Sequence, residues 1–70
     1  MQPPIRIYVN DEPHEVPGDL TAAGLIERLE LAGRRLALEV NEEIVPRSRL
    51  DSHRPNAGDR VEIVHAIGGG

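Results

Sequence analysis

The residues of this chain that could do chemistry are few, and they are concentrated at one end. Ala66-Ile67-Gly68-Gly69-Gly70 runs from an apolar strand into three glycines. Glycine lacks Cβ, so such a stretch extends without steric cost. Three residues reach about 10 Å at roughly 3.3 Å each. A slim peptide ending in a carboxylate at Gly70 suits a narrow channel in another protein, and Gly68 and Gly69 are its approach. Elsewhere the options thin out. Asp51-Ser52-His53 has the letters of a hydrolytic triad, but neighbours in one loop seldom face each other as base and nucleophile must. His14, His53 and His65 lack metal-ligand spacing.

Composition removes further classes. The chain has 70 residues, no cysteine and a formal net charge of −4. No disulfide and no thiolate metal site is possible. All of its basic side chains are arginine, which removes phosphate-loop lysines, Schiff bases and lysine general bases. The acidic balance argues against a nucleic-acid partner. Tyr8 is the only aromatic residue, so there is no set of platforms for stacked bases. No apolar run approaches the roughly 20 residues that span a bilayer. Met1-Gln2-Pro3-Pro4 lacks the charged and apolar regions of a signal peptide. A cytoplasmic protein with no membrane contact is expected.

The elements that must position the tail follow from periodicity. Ile5-Arg6-Ile7-Tyr8-Val9 alternates with period two and predicts a strand with Ile5, Ile7 and Val9 inward. Asn10 to Pro13 reads as a turn, and His14-Glu15-Val16 as a short second strand. Thr21 is an N-cap candidate, followed by Ala22, Leu25, Ile26 and Leu29 on one helical face. Gly33 as the C-terminal cap would end that helix near Ala32. Gly24 weakens it unless something packs closely there. Leu36, Leu38 and Val40 face inward from a third strand, Asn41-Glu42-Glu43 turns, and Ile44-Val45 is a short strand ended by Pro46. Arg47 to Gly58 is a connecting loop. Val61 to Ile67 is the last strand, with Val61 and Ile63 inward.

Strands one and five are the most apolar, which suits central positions joined in parallel with the helix across one face. That is a two-layer α+β arrangement. The core is aliphatic and leaves no volume for an enclosed active site. Residues 1–67 are expected to form the domain and 68–70 a C-terminal glycine tail. Val64 and Ala66 then face away from the helix with Tyr8, and with Ala37 beside them they offer an apolar docking patch next to the tail. Glu39 and Glu62 should lie near that patch. Ile67 sits between strand and tail, either covering the sheet end or anchoring the tail in a partner.

An order of two strands, a helix and further strands ending in Gly69-Gly70 resembles the ubiquitin-like β-grasp family. Three stretches are similar to the ThiS-like sulfur carriers within it: Ile7 to Pro13, Leu38 to Ser48, and Gly58 to Val64 with the terminal glycines. Glu42 stands where members often have glycine, and Leu50 where many have tryptophan. The resemblance implies a mixed four- to five-stranded sheet with one main helix, and a carrier that is not itself an enzyme. A terminal carboxyl ionises near about pH 3.5 and is then a poor electrophile, so Gly70 must be activated. The resemblance implies adenylation by an E1-like, ThiF-like enzyme that uses ATP and Mg²⁺, with no cofactor bound by the chain itself. A sulfur donor such as a cysteine desulfurase then supplies a thiocarboxylate, and a ThiG-like thiazole synthase receives the sulfur for thiamine. The molybdopterin-type carriers share fold and tail but run longer with more aromatics. A β-grasp interaction module without terminal chemistry, or a modifier joined to lysines by its tail, are the other readings.

Overall fold

The computed structural model describes residues 2–65. Ala66, Ile67, Gly68, Gly69 and Gly70 lie outside the described residues, as does the predicted extension of the last strand through Ile67. Among the described residues there are five strands and one α-helix: β1 (Ile5–Val9), β2 (Glu12–Val16), α1 (Ala22–Arg28), β3 (Leu36–Val40), β4 (Glu43–Val45) and β5 (Arg60–His65). The strands form one sheet in the order β2-β1-β5-β3-β4. β1 and β5 are parallel, and every other pairing is antiparallel.

The alternation in the strands decides what faces the helix. Ile7, Val9, Val16, Leu38, Val40, Val61 and Ile63 turn their side chains to one face and are buried there with Ala22, Leu25 and Ile26 of α1. Ile5, Leu29 and Leu36 are partly buried at the edge of this core. An isolated helix of this length has no stability in water, so α1 exists through packing and caps. Thr21 Oγ1 accepts from the Gly24 amide at 3.1 Å. The amides of Ala22 and Ala23 donate to the carbonyls of His53 (2.8 Å) and Leu50 (2.9 Å). The loop between β4 and β5, which includes a turn of 3-10 helix at Arg47–Arg49, is thus tied down by helix donors that would otherwise lack partners. The space at Gly24 is tight, since a Cβ there would meet Leu20 Cδ1 at 2.8 Å.

Helix α1 stops a full turn before the Ala32 expected from Gly33. Glu30 takes the left-handed conformation at φ 60°. Its amide donates to the Glu27 carbonyl at 2.9 Å, and the Leu31 amide donates to the Ile26 carbonyl at 3.0 Å. This pair of bonds is a Schellman termination, with a hydrophobic residue after the left-handed one. Gly33, at φ 83°, serves the following turn instead. Strand β2 also begins earlier than expected, at Glu12, so Pro13 lies within it and pairs with Tyr8. A strand accepts proline on an edge, and β2 is an edge.

Candidate functional site

The strand that leads into the glycine tail is β5, and two asparagines fix its start. Both hairpin loops, Asn10-Asp11 and Asn41-Glu42, have positive φ at each central residue: 48° and 70°, then 51° and 71°. Two-residue hairpins of the I′ kind demand this, and asparagine tolerates it best of the non-glycine residues. Each asparagine then does a second job. The Asn10 amide donates to the Val61 carbonyl at 2.8 Å, and a regular parallel ladder would have the Asn10 carbonyl accept from Ile63. The chain turns away there, and Asn10 Oδ1 takes that bond at 2.9 Å. On the other side the Asn41 amide donates to the Arg60 carbonyl at 2.7 Å, and the Arg60 amide donates to Asn41 Oδ1 at 3.0 Å. Asn41 Nδ2 also donates to Asp59 Oδ1 at 3.1 Å. Side-chain carbonyls therefore stand in for backbone carbonyls on both flanks of β5. Sequence reading took Asn10 and Asn41 only as turn residues.

The outward face of the sheet carries those predicted docking residues that lie among the described ones. Tyr8, Val64 and Glu62 are exposed and Glu39 is half-buried. They share the face away from α1 but do not form one apolar patch. Tyr8 sits beside Arg60 in the β1–β5 register, four residues of β5 from Val64, which is about 13 Å at 3.3 Å per residue. Val64 pairs with Ala37, and Glu62 pairs with Glu39. Across β3, Glu39 pairs with Ile44, whose side chain is 66% exposed. The apolar part of this face is therefore Val64, Ala37 and Ile44. Ile44 was missed because Ile44-Val45 offers two adjacent apolar residues, and so short a run does not say which one faces in. The like-charged Glu39 and Glu62 stand directly opposite, with Cα atoms about 5.5 Å apart in a hydrogen-bonded pair. Such an arrangement is destabilising on its own.

The triad letters do not assemble. Ser52 Oγ donates to the Arg49 carbonyl at 3.3 Å, and the buried His53 Nε2 has no hydrogen-bond partner among the described residues. No group of metal-ligating side chains occurs among the described residues. No helix among them is long and apolar enough to cross a membrane.

A five-stranded mixed sheet with a parallel central pair and one helix across a single face is the ubiquitin-like β-grasp fold. A crystal structure of the thiamine biosynthesis protein ThiS from Geobacter metallireducens superposes with a TM-score of 0.81 at 29% identity, covering 94% of this chain and 100% of that one. The family model described as the ThiS family matches residues 5–70, and the chain belongs to that family. It is 30% identical over 66 residues to the sulfur carrier protein ThiS of Escherichia coli, covering 94% of this chain and all of that protein. It is also 35% identical over 66 residues to a thiazole synthase of Magnetococcus marinus, of which it spans 20% of the length. A thiazole synthase of Paramagnetospirillum magneticum matches in the same way, at 36% identity and 20% of its length.

Proposed function

We propose that this chain is a sulfur carrier for building the thiazole of thiamine, a substrate of its partner enzymes and not a catalyst. The observation that carries the reading is the family match from Ile5 to Gly70, which takes in the whole sheet and the terminal glycines. The Gly70 carboxylate attacks the α-phosphorus of ATP on an E1-like, ThiF-like enzyme, which supplies the nucleotide site and Mg²⁺, and pyrophosphate leaves. The persulfide of a donor such as a cysteine desulfurase then adds to the acyl carbon, and AMP departs with the shared oxygen. A thiol attacks the donor-cysteine sulfur of the acyl disulfide so formed, the S–S bond breaks, and the thiocarboxylate leaves while the donor cysteine ends in a disulfide with that thiol. Matches to two thiazole synthases support such a synthase as the acceptor.

The sheet's outward face is the docking surface in this reading. Val64, Ala37 and Ile44 give apolar contact, and a partner arginine or lysine set between Glu39 and Glu62 relieves their repulsion. Charge complementarity of this kind sets register and encounter rate more than affinity. Tyr8 lies at the far end of that face. In the sequence, Ala66, Ile67, Gly68 and Gly69 join β5 to Gly70.

Intact mass after incubation with ATP, Mg²⁺, a ThiF-like enzyme and a sulfur source tests the proposal. The expected result is a gain equal to exchanging one oxygen for sulfur, mapped to Gly70. Absence of both adenylate and thiocarboxylate with an enzyme active on another carrier overturns it.

A further inference from the structure

On the helix side, away from the docking face, the C-terminal end of α1 and the loop after β4 leave an open groove of ≈ 380 Å³. Its floor is aliphatic, made by the half-buried Leu31, Leu36 and Leu50. Its rim is cationic, made by Arg34, Arg35 and Arg47, all exposed, with no carboxylate in the lining. Among the described residues, none of the side-chain hydrogen bonds uses a guanidinium of these arginines. A second opening of ≈ 490 Å³ along α1 shares Ile26, Arg47 and Leu50 with it, and there Glu27 and Asp51 join the lining.

The sign of this charge matters because the molecule as a whole is at −4. An acidic ligand is repelled over most of the surface and attracted here, which places it in one position. The leucine floor selects for an apolar anchor. It has no aromatic ring to stack a base, which disfavours a nucleotide. An aliphatic floor beside three guanidiniums fits an amphipathic peptide segment better than a small anion, and the acidic side of that segment belongs over Arg34, Arg35 and Arg47, away from Glu27 and Asp51. We propose that this groove seats an acidic amphipathic segment of a partner protein, with an apolar side chain over Leu36 and Leu50 and flanking carboxylates on Arg34, Arg35 and Arg47. This is the helix-in-groove mode of recognition with a cationic rim. The groove lies on the face opposite the sheet's docking surface, so both are free to be occupied at once. The proposal does not depend on sulfur transfer.

The test is a titration of the isotopically labelled full chain with a synthetic helical peptide carrying leucines along one face and glutamates on both sides of them. Saturable amide shifts at Leu31, Arg34, Arg35, Leu36 and Leu50 are expected. Arg34→Glu with Arg35→Glu should weaken binding by about tenfold or more, in a salt-dependent way. Leu50→Trp fills the groove and should weaken binding similarly while the melting temperature holds or rises. Shifts confined to Tyr8 and Val64, or no saturable shift, overturn the proposal. So does equal binding by a glutamate peptide without leucines. Nuclear Overhauser contacts from Ile67 to Leu36 or Leu50 in the peptide-free chain would make the chain's own terminus the occupant. Groove shifts on dilution would make it a second copy. Either result also refutes a partner segment.

Discussion

Asn10 is asked to do two separable things, and a series of substitutions measures each. At φ 48° it occupies backbone space that most side chains resist, and its Oδ1 accepts from the Ile63 amide at 2.9 Å. Asn10→Gly keeps the turn and removes the acceptor. The Ile63 amide then sits in a strand whose side chain is only 6% exposed, and an unsatisfied buried donor costs about 1–3 kcal/mol. Glycine's extra unfolded-state freedom adds about 0.5 kcal/mol. Asn10→Ala loses the same bond and adds a left-handed penalty of about 1 kcal/mol. Asn10→Asp keeps an acceptor and should stay within about 1 kcal/mol of the parent. In a domain this small, 1 kcal/mol moves Tm by about 4–8 °C. At the middle of these ranges the glycine variant is expected to melt about 15 °C lower and the alanine variant about 18 °C lower. Far-UV circular dichroism melts give the ranking. Amide exchange at Ile63, accelerated in both but not in Asn10→Asp, locates the cause. An Asn10→Gly variant as stable as the parent, with Ile63 still protected, would refute the idea that the side-chain carbonyl completes the ladder.

Three further outcomes follow from the same geometry. Glu30→Gly places glycine at the left-handed end of α1 and should raise stability by about 0.5–1 kcal/mol in chemical denaturation. Ile44→Asp, on an exposed edge position, should weaken binding to the proposed activating enzyme about tenfold by calorimetry while Tm moves by less than about 4 °C. Glu62→Gln should separate folding from docking: relief of the repulsion with Glu39 adds about 0.2–0.5 kcal/mol of stability, while the salt-sensitive association rate with the enzyme falls.

Most of the architecture was legible because burial in a sheet writes a period-two signal. Ile5 to Val9, Leu36 to Val40 and Val61 to Ile63 announced their strands and inward residues, and Ala22, Leu25 and Ile26 their helical face. Where the fold departs from the reading, a tertiary bond outweighs local preference. Glu30 ends α1 because Leu31 and Glu30 amides find carbonyls one turn back, although glutamate is no signal for a stop and Gly33 is. Pro13 read as part of the turn from Asn10, and the edge position of β2 admits it to a strand. The side-chain bonds of Asn10 and Asn41 bring together residues 53 and 19 positions apart, and no local pattern encodes them. The face of Ile44 was likewise undecidable until β4 was paired with β3. The groove beside Leu50 arises from how the loop after β4 lies against α1, which periodicity does not describe.

The parallel pairing of β1 with β5 also has a mechanical consequence. A pull on the far end of β5, opposed by a hold on the start of β1, runs along the strands in opposite directions. It slides the two strands past each other and does not peel them apart. The bonds from Tyr8 to Asp59, Asn10 to Val61 and Ile63 to the Asn10 side chain then bear the load together, and the antiparallel β3 braces β5 from its other side. Tension applied at the end of β5 meets its resistance at the middle of the sheet, so the load is shared along the strand before the domain unravels.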